Sequence, residues 1–297
     1  MSARVKPHLV SPAKGTKDRE ERVARILSIS SQVVYGTVGN SAGVFALQRL
    51  GHEVWPVPTT LLSHHPGYGA PAGGPLPAEA ISALIRSLDE KGWLGRCDAM
   101  MSGYLAAPDQ KEAILEAHDR LKRANPQALF LCDPVLGDEE SGLYAAPGVA
   151  DAMQTLIARA DIATPNLFEL ALLTGTPQGK ATPEEMLRAA TPARICLTSA
   201  PAPAGRIGIV VKEEESFHAV ETPRFEPAPK GTGDLFSALV LGRLLRHGNF
   251  AEAAREAAAS TASIVRESVA RERSDLTLAE AQQFIERPDE EATLTVL

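Results

Sequence analysis

The chain has 297 residues, a formal net charge of −7, and 44% hydrophobic against 23% charged residues. That balance describes a globular protein able to bury a sizeable core, and it lacks the basic excess of a general nucleic-acid binder. No apolar run approaches the roughly 20 residues needed to cross a membrane, so neither nucleic acid nor membrane is an expected partner.

Residues 1–22 are rich in Lys, Arg, Pro and Ser, without apolar periodicity or the apolar core of a secretory signal. They are expected to form a disordered, mildly basic extension, with residues 23–297 as a single domain. Cys97, Cys132 and Cys196 sit in or beside short apolar runs and lack metal-ligand spacing, so they read as reduced, buried thiols of a cytoplasmic protein.

From Arg25 onward, short apolar runs alternate with helical patterns. Strands are predicted at Arg25–Ser30, Glu53–Val57, Ala99–Met101, Leu129–Cys132, Asp161–Ala163 and Ile195–Leu197. Helices are predicted at Ser41–Leu50, Ala78–Lys91, Pro108–Ala124, Val149–Ala160, Leu167–Thr174 and Pro183–Ala190. Ile207–Val211 and Ser216–Val220 read as a hairpin with a solvated acidic turn. Leu235–Arg246, Phe250–Glu267 and Leu278–Ile285 read as helices, and Gly67–Pro77 as a mobile loop. Alternation of this kind implies a three-layer α/β/α fold around a mainly parallel sheet.

Ligands of such a sheet bind beyond the carboxyl ends of its strands. Ser30-Ser31 follow the first strand, and Leu61-Leu62-Ser63-His64-His65-Pro66-Gly67-Tyr68 follow the second. The adjacent histidines lack the helical spacing of a zinc pair, so this loop is better suited to covering a planar ligand. Tyr104 follows the third strand. Asp133, after the fourth, is placed to hold a metal or its water, and Glu169 comes from the neighbouring strand end. Asn166 and Glu169 also make a capping box, which needs no ligand. Thr198 and Ser199 offer hydroxyls suited to phosphates.

Gly231-Thr232-Gly233-Asp234 precedes an apolar helical run. Its glycines and helix start make an anion nest. Two readings of Asp234 are open there: a simple helix cap, or a base that takes a proton from a hydroxyl about to attack a phosphoryl group. Walker A and the dinucleotide fingerprint are both absent.

Taken together, Ile26–Gly36, Val38-Gly39-Asn40-Ser41-Ala42, Ser102-Gly103-Tyr104, Cys132–Gly137, Thr164-Pro165-Asn166 with Glu169, and Gly231–Phe236 resemble pyridoxal kinases. The Gly-x-Gly-Asp element alone indicates only the wider ribokinase-like superfamily. The resemblance implies phosphorylation of the 5′-hydroxymethyl group of pyridoxal by MgATP, and of pyridoxine and pyridoxamine. By position it implies Asp234 as base and Gly231, Thr232 and Gly233 as the anion hole. Ser31, Tyr104 and the loop residues Leu62, His65, Pro66 and Gly67 would face the vitamer. Asp133, Thr164, Asn166, Glu169, Thr198, Ser199 and Thr232 would serve ATP. Asp133, Thr164 and Glu169 would hold Mg²⁺, with a monovalent cation such as K⁺ beside Asp133 and Thr164. A homodimer through the early strands is implied as well.

The chain departs from many relatives, which have Gln-Ser-His where it has Ser30-Ser31-Gln32 and Ser-Asn-His-Thr where it has Ser63-His64-His65-Pro66. Pro66 removes a hydroxyl, and Leu62 replaces a usual aromatic. Competing readings are a hydroxymethylpyrimidine or other alcohol kinase, and a vitamer-binding protein without catalysis.

Overall fold

The computed structural model describes residues 23–176 and 179–297, so the expected extension at 1–22 lies outside the described residues. In chain order the strands are β1 (Arg25–Tyr35), β2 (Glu53–His64), β3 (Gly73–Pro75), β4 (Ala99–Ser102), β5 (Leu129–Cys132), β6 (Gly137–Asp138) and β7 (Gly142–Leu143). They continue with β8 (Ile162–Ala163), β9 (Arg194–Ala200), β10 (Arg206–Glu213), β11 (Ser216–Pro223) and β12 (Thr293–Val296). All but β6 and β7 join one sheet in the order β12-β11-β10-β9-β8-β5-β4-β1-β2-β3. Pairing is parallel from β2 through β9, and antiparallel at β3 and among β9 to β12.

Residue parity along the strands sorts the core into two faces, as a pleat requires. Ile26, Ala99, Met101, Leu131, Ile162 and Cys196 pack under α1 (Asn40–Arg49), α7 (Thr232–His247) and α8 (Phe250–Ala270). Leu27, Ile29, Met100, Phe130 and Cys132 face the other way, against α2 (Ala78–Glu90), α3 (Gln110–Ala124) and α4 (Val149–Ile157). On that same side, α5 (Leu167–Thr174) and α6 (Pro183–Ala189) cover Ile195, Leu197 and Val210. Buried alanines on α8, among them Ala253, Ala254, Ala257 and Ala258, give α7 and the sheet a close approach. All three cysteines are free and buried.

Several expectations are corrected. Gly67–Pro77 overlaps a helical turn at Pro66–Tyr68 and contains strand β3, which pairs with β2 through Thr60 to Leu62. Leu278–Ile285 is not one helix: turns run to Gln282, and only α9 (Gln283–Glu286) is helical. The two-stranded β6–β7 ribbon and the edge strand β12 had no sequence counterpart. Strands β1 and β2 run beyond their predicted ends, to Tyr35 and His64, and α7 begins at Thr232.

From β1 the chain passes to β2 on one side and returns to β4 on the other. The loops after β1 and β4 therefore diverge, which opens a crevice at the carboxyl ends of the central strands.

Candidate active site

Gly231 starts α7 in a left-handed conformation, φ +89°, and a Cβ there would lie 1.9 Å from the Thr37 carbonyl oxygen. Only glycine fits. The Leu235 amide donates to the Gly231 carbonyl at 2.9 Å, so the amides of Thr232, Gly233 and Asp234 precede the first intrahelical bond. Thr232 ties its own hydroxyl to the Pro229 carbonyl at 2.7 Å, which fixes the approach to the helix. Gly233 is exposed and has open space around it. The result is three amides without a partner among the described residues at the positive end of a helix, an arrangement suited to an anion.

Burial pushes the Asp234 carboxyl up to about 6, opposed by the neighbouring Gly39 amide, which favours the charged form. A helix cap needs no such neighbour. Gly39 itself takes φ +56°, and a Cβ there would meet Ser31 Oγ at 2.2 Å. The corner carrying Ser31 and Gly39 thus adjoins Asp234. On the far side, a Cβ on Gly103 would stand 2.5 Å from Ser30 Oγ and 4.0 Å from Asp234 Oδ1. Ser30 Oγ and Ser102 Oγ are buried there without a protein partner. Buried hydroxyls left in that state are suited to a polar ligand or water.

Tyr104 follows Gly103 and is half-buried, with its phenol pushed up by burial. A register slip helps to position it: β1 advances from Ser30 to Gln32 while β2 advances from Pro58 to Leu61. The extra β2 residue leaves Thr59 Oγ1 free to donate to the Tyr104 carbonyl at 2.7 Å. Gln110, wholly buried, donates to the Thr59 and Leu76 carbonyls and accepts from the Ala106 amide. The β2–β3 loop closes this side. His65 Nδ1 accepts the Gly67 amide at 2.9 Å, which leaves the proton of a neutral ring on Nε2. Burial first, then Lys230, push His65 down from the ordinary histidine value. Leu62 is partly buried, whereas Pro66 and Gly67 are exposed.

Across the crevice, Thr164 Oγ1 donates to Asp133 Oδ1 at 3.2 Å and lies 2.8 Å from Ser237 Oγ. Asp133 is held well above the carboxylate range by burial, and then by the Glu169 and Asp234 charges. Glu169 is pushed up to about 7, again chiefly by burial. Its Oε1 accepts the Leu136 amide at 2.9 Å and its Oε2 accepts the Asn166 amide at 2.8 Å. The Asn166 side chain completes the capping box of α5 and also donates to the Gly137 carbonyl. Thr198 bonds back to Pro165, and Ser199 is exposed with φ +54°. The donors around Asp133 are all oxygen, and its neighbouring carboxylates raise the proton affinity of the site. That chemistry fits a hard cation such as Mg²⁺. No group of three or more His, Cys, Asp or Glu gathers for a metal among the described residues. A cation there would therefore rest on a carboxylate pair, hydroxyls and its other ligands.

The phosphomethylpyrimidine kinase family profile matches residues 39–278. The pyridoxal kinase PdxY of Corynebacterium diphtheriae is 38% identical over 89% of this chain and 96% of its own length. That of Rubrobacter xylanophilus is 40% identical over 89% and 94%. The chain belongs to the pyridoxal kinase family. The pyridoxal kinase of Leishmania donovani, solved with ADP and pyridoxamine, superposes with a TM-score of 0.85 at 24% identity. That match covers 92% of this chain and 99% of the other, and it shows the same ribokinase-like fold.

Within that family fold, the residues singled out in the sequence gather at one sheet edge, though in two groups. Ser31, Gly39, Gly231–Gly233 and Asp234 form one group, with Tyr104 tied to β2 through its backbone carbonyl, while Asp133, Thr164, Asn166 and Glu169 form the other. Sequence reasoning missed Ser237, one helical turn beyond Asp234, which reaches Thr164. It also missed Gln110 and the Gly39 amide beside Asp234. Ser237 had one available clue, its i+3 spacing from Asp234 on a common helix face.

Proposed function

We propose that the chain transfers the γ-phosphoryl group of ATP to the 5′-hydroxymethyl group of pyridoxal, and also accepts pyridoxine and pyridoxamine. The observation that carries this reading is a carboxylate, Asp234, in the first turn of α7 among the amides that precede its first intrahelical bond. Asp234 takes the hydroxymethyl proton. The vitamer oxygen forms its bond to phosphorus as the bond to the ADP oxygen breaks, and the first amides of α7 receive the developing charge. With its carboxyl near 6, Asp234 is largely ionised at neutral pH and remains a competent base. Ser31 and Tyr104 orient the ring, and the Leu62–Gly67 segment covers it. Thr198, Ser199, Thr232 and Asn166 serve the nucleotide. Asp133, Thr164 and Glu169 would hold Mg²⁺, with K⁺ beside Asp133 and Thr164. When bound, the divalent ion neutralises phosphate charge.

Incubation with pyridoxal and ATP in excess magnesium is expected to yield equal amounts of pyridoxal 5′-phosphate and ADP. A higher kcat/KM on hydroxymethylpyrimidine would transfer the assignment to that substrate, and vitamer binding without ATP consumption would remove catalysis altogether.

The chain is further proposed to work as a cytoplasmic homodimer. The end of β1 and the adjoining β2 expose Val34, Tyr35 and Leu61 at 79%, 58% and 47%, a degree of apolar exposure that favours burial by a second copy. Light scattering on the eluted protein reads the mass directly, and a monomer at micromolar concentration would exclude the pairing.

A further inference from the structure

The turn Pro66–Tyr68 ends in a tyrosine that the reaction itself does not use. Tyr68 is 45% exposed, yet its hydroxyl lies 2.6 Å from Asp275 Oδ2 and 2.6 Å from Ser274 Oγ. Its ring is met edge-on by Tyr35 at 5.9 Å and by His64 at 6.2 Å. The Tyr68 amide bonds to the His65 carbonyl, so a fixed Tyr68 fixes the His65 backbone as well. Asp275, only 7% exposed, sits against Gly36, where a Cβ would be 3.3 Å from Oδ1.

The segment around Asp275 also touches the other parts of the site. The Lys230 amide donates to the Ser274 carbonyl at 3.0 Å, immediately before the Gly231 turn. Thr37 Oγ1 donates to the Leu276 carbonyl at 3.1 Å, and the Thr37 carbonyl is the group that Gly231 closely approaches. One short strip, Ser274–Leu276, therefore contacts the β1–α1 corner, the β2–β3 loop and the entrance to the anion nest.

We propose that Tyr68 and Asp275 form a latch that holds the Leu62–Gly67 segment closed over the vitamer and aligns it with the nest. Both are positioning residues, acting through His65 and Lys230 rather than on the reacting atoms. The proposal rests on the pyridoxal kinase reading of the site. A phenol–carboxyl hydrogen bond is among the stronger polar contacts, and this one ties the Pro66–Tyr68 turn, which follows the β2 end paired with β1 and β3, to a segment more than 200 positions away. Because Tyr68 is an exposed strap, removing its hydroxyl opens no core cavity.

Steady-state kinetics on Tyr68→Phe, with pyridoxal and ATP varied separately, test the latch. The KM for pyridoxal is expected to rise about tenfold, with the KM for ATP within about twofold and an unchanged Tm. Asp275→Ala is expected to match it, the double variant to be no worse than either single, and Asp275→Asn to recover most of the loss by keeping an acceptor. Hydrogen exchange of the Gly67–Gly69 amides is expected to quicken in Tyr68→Phe while β1 and β4 keep their protection. An unchanged pyridoxal KM, a parallel rise in the ATP KM, or additive losses in the double variant would overturn the proposal. If the wild type phosphorylates no vitamer, the functional reading fails by itself. Exchange at Gly67–Gly69 then decides the latch, and unchanged exchange overturns it.

Discussion

Burial pushes the Asp234 carboxyl up to about 6, so the proposed base is expected to act in more alkaline conditions. The kcat/KM profile is expected to fall on the acid side with a midpoint near that value, read from initial rates across pH. Asp234→Asn is expected to lower kcat by about 10²–10⁴-fold. The sign for stability runs the opposite way. The folded carboxyl holds its proton more tightly than the unfolded one, so the native state binds more protons between about pH 4 and 6 and loses stability as pH rises through that window. Asp234→Asn should therefore melt a few degrees higher than wild type at pH 8, and a lower Tm would refute the buried-charge account. The two glycines of the nest separate in the same way. Gly231→Ala drives a methyl into the Thr37 carbonyl at a left-handed φ and is expected to cost about 3 kcal/mol or more in denaturant unfolding. Gly233→Ala has free space and an ordinary backbone, so it should fold normally while its methyl raises the KM for ATP. The motif was readable because both demands, tight turning and an acid inside a nest, are local to four residues. Ser237 was not, because its partner Thr164 is 73 positions away.

At the scale of elements, periodicity reported burial more faithfully than conformation. Leu278, Ala281 and Ile285 recur at helical spacing and are all buried, yet most of that segment is turns. The sheet edge and α8 supply the burial, and backbone shape follows from them rather than from propensity. Strand β12 was illegible for a related reason. Four residues, Thr293–Val296, gain their ladder only from β11, whose free edge exists only in the folded sheet. Parallel strands, by contrast, announced themselves by continuous apolar runs. Gln110 had no local mark either, since the amide that staples the Tyr104 loop works through Thr59, 51 residues earlier. Gln110→Leu leaves the Leu76 carbonyl and the Ala106 amide unpaired, takes one of two donors from the Thr59 carbonyl, and should cost about 2–4 kcal/mol in urea unfolding. The displaced loop should also raise the KM for pyridoxal more than that for ATP.

Across the whole molecule, the site depends on contacts between distant parts of the chain. Thr37 abuts Gly231, the Gly39 amide neighbours Asp234, and His52 Nε2 lies 2.9 Å from the Gly242 carbonyl, 190 positions away in sequence. The far edge of the sheet is independent of this arrangement. Removing residues 292–297 strips β12 from β11 and should promote aggregation, seen as light scattering, while kcat stays within about twofold of wild type. The docking of α7 onto α1 has a further consequence during synthesis on the ribosome. A nascent chain that has emerged only as far as β11 already holds every parallel strand of the sheet, but neither Asp234 nor the Gly231 turn proposed to serve the reaction. Competence then arrives in one late event, when the helix bearing Asp234 meets a corner translated long before. A chain terminated prematurely ahead of that helix is left without the means to transfer a phosphoryl group.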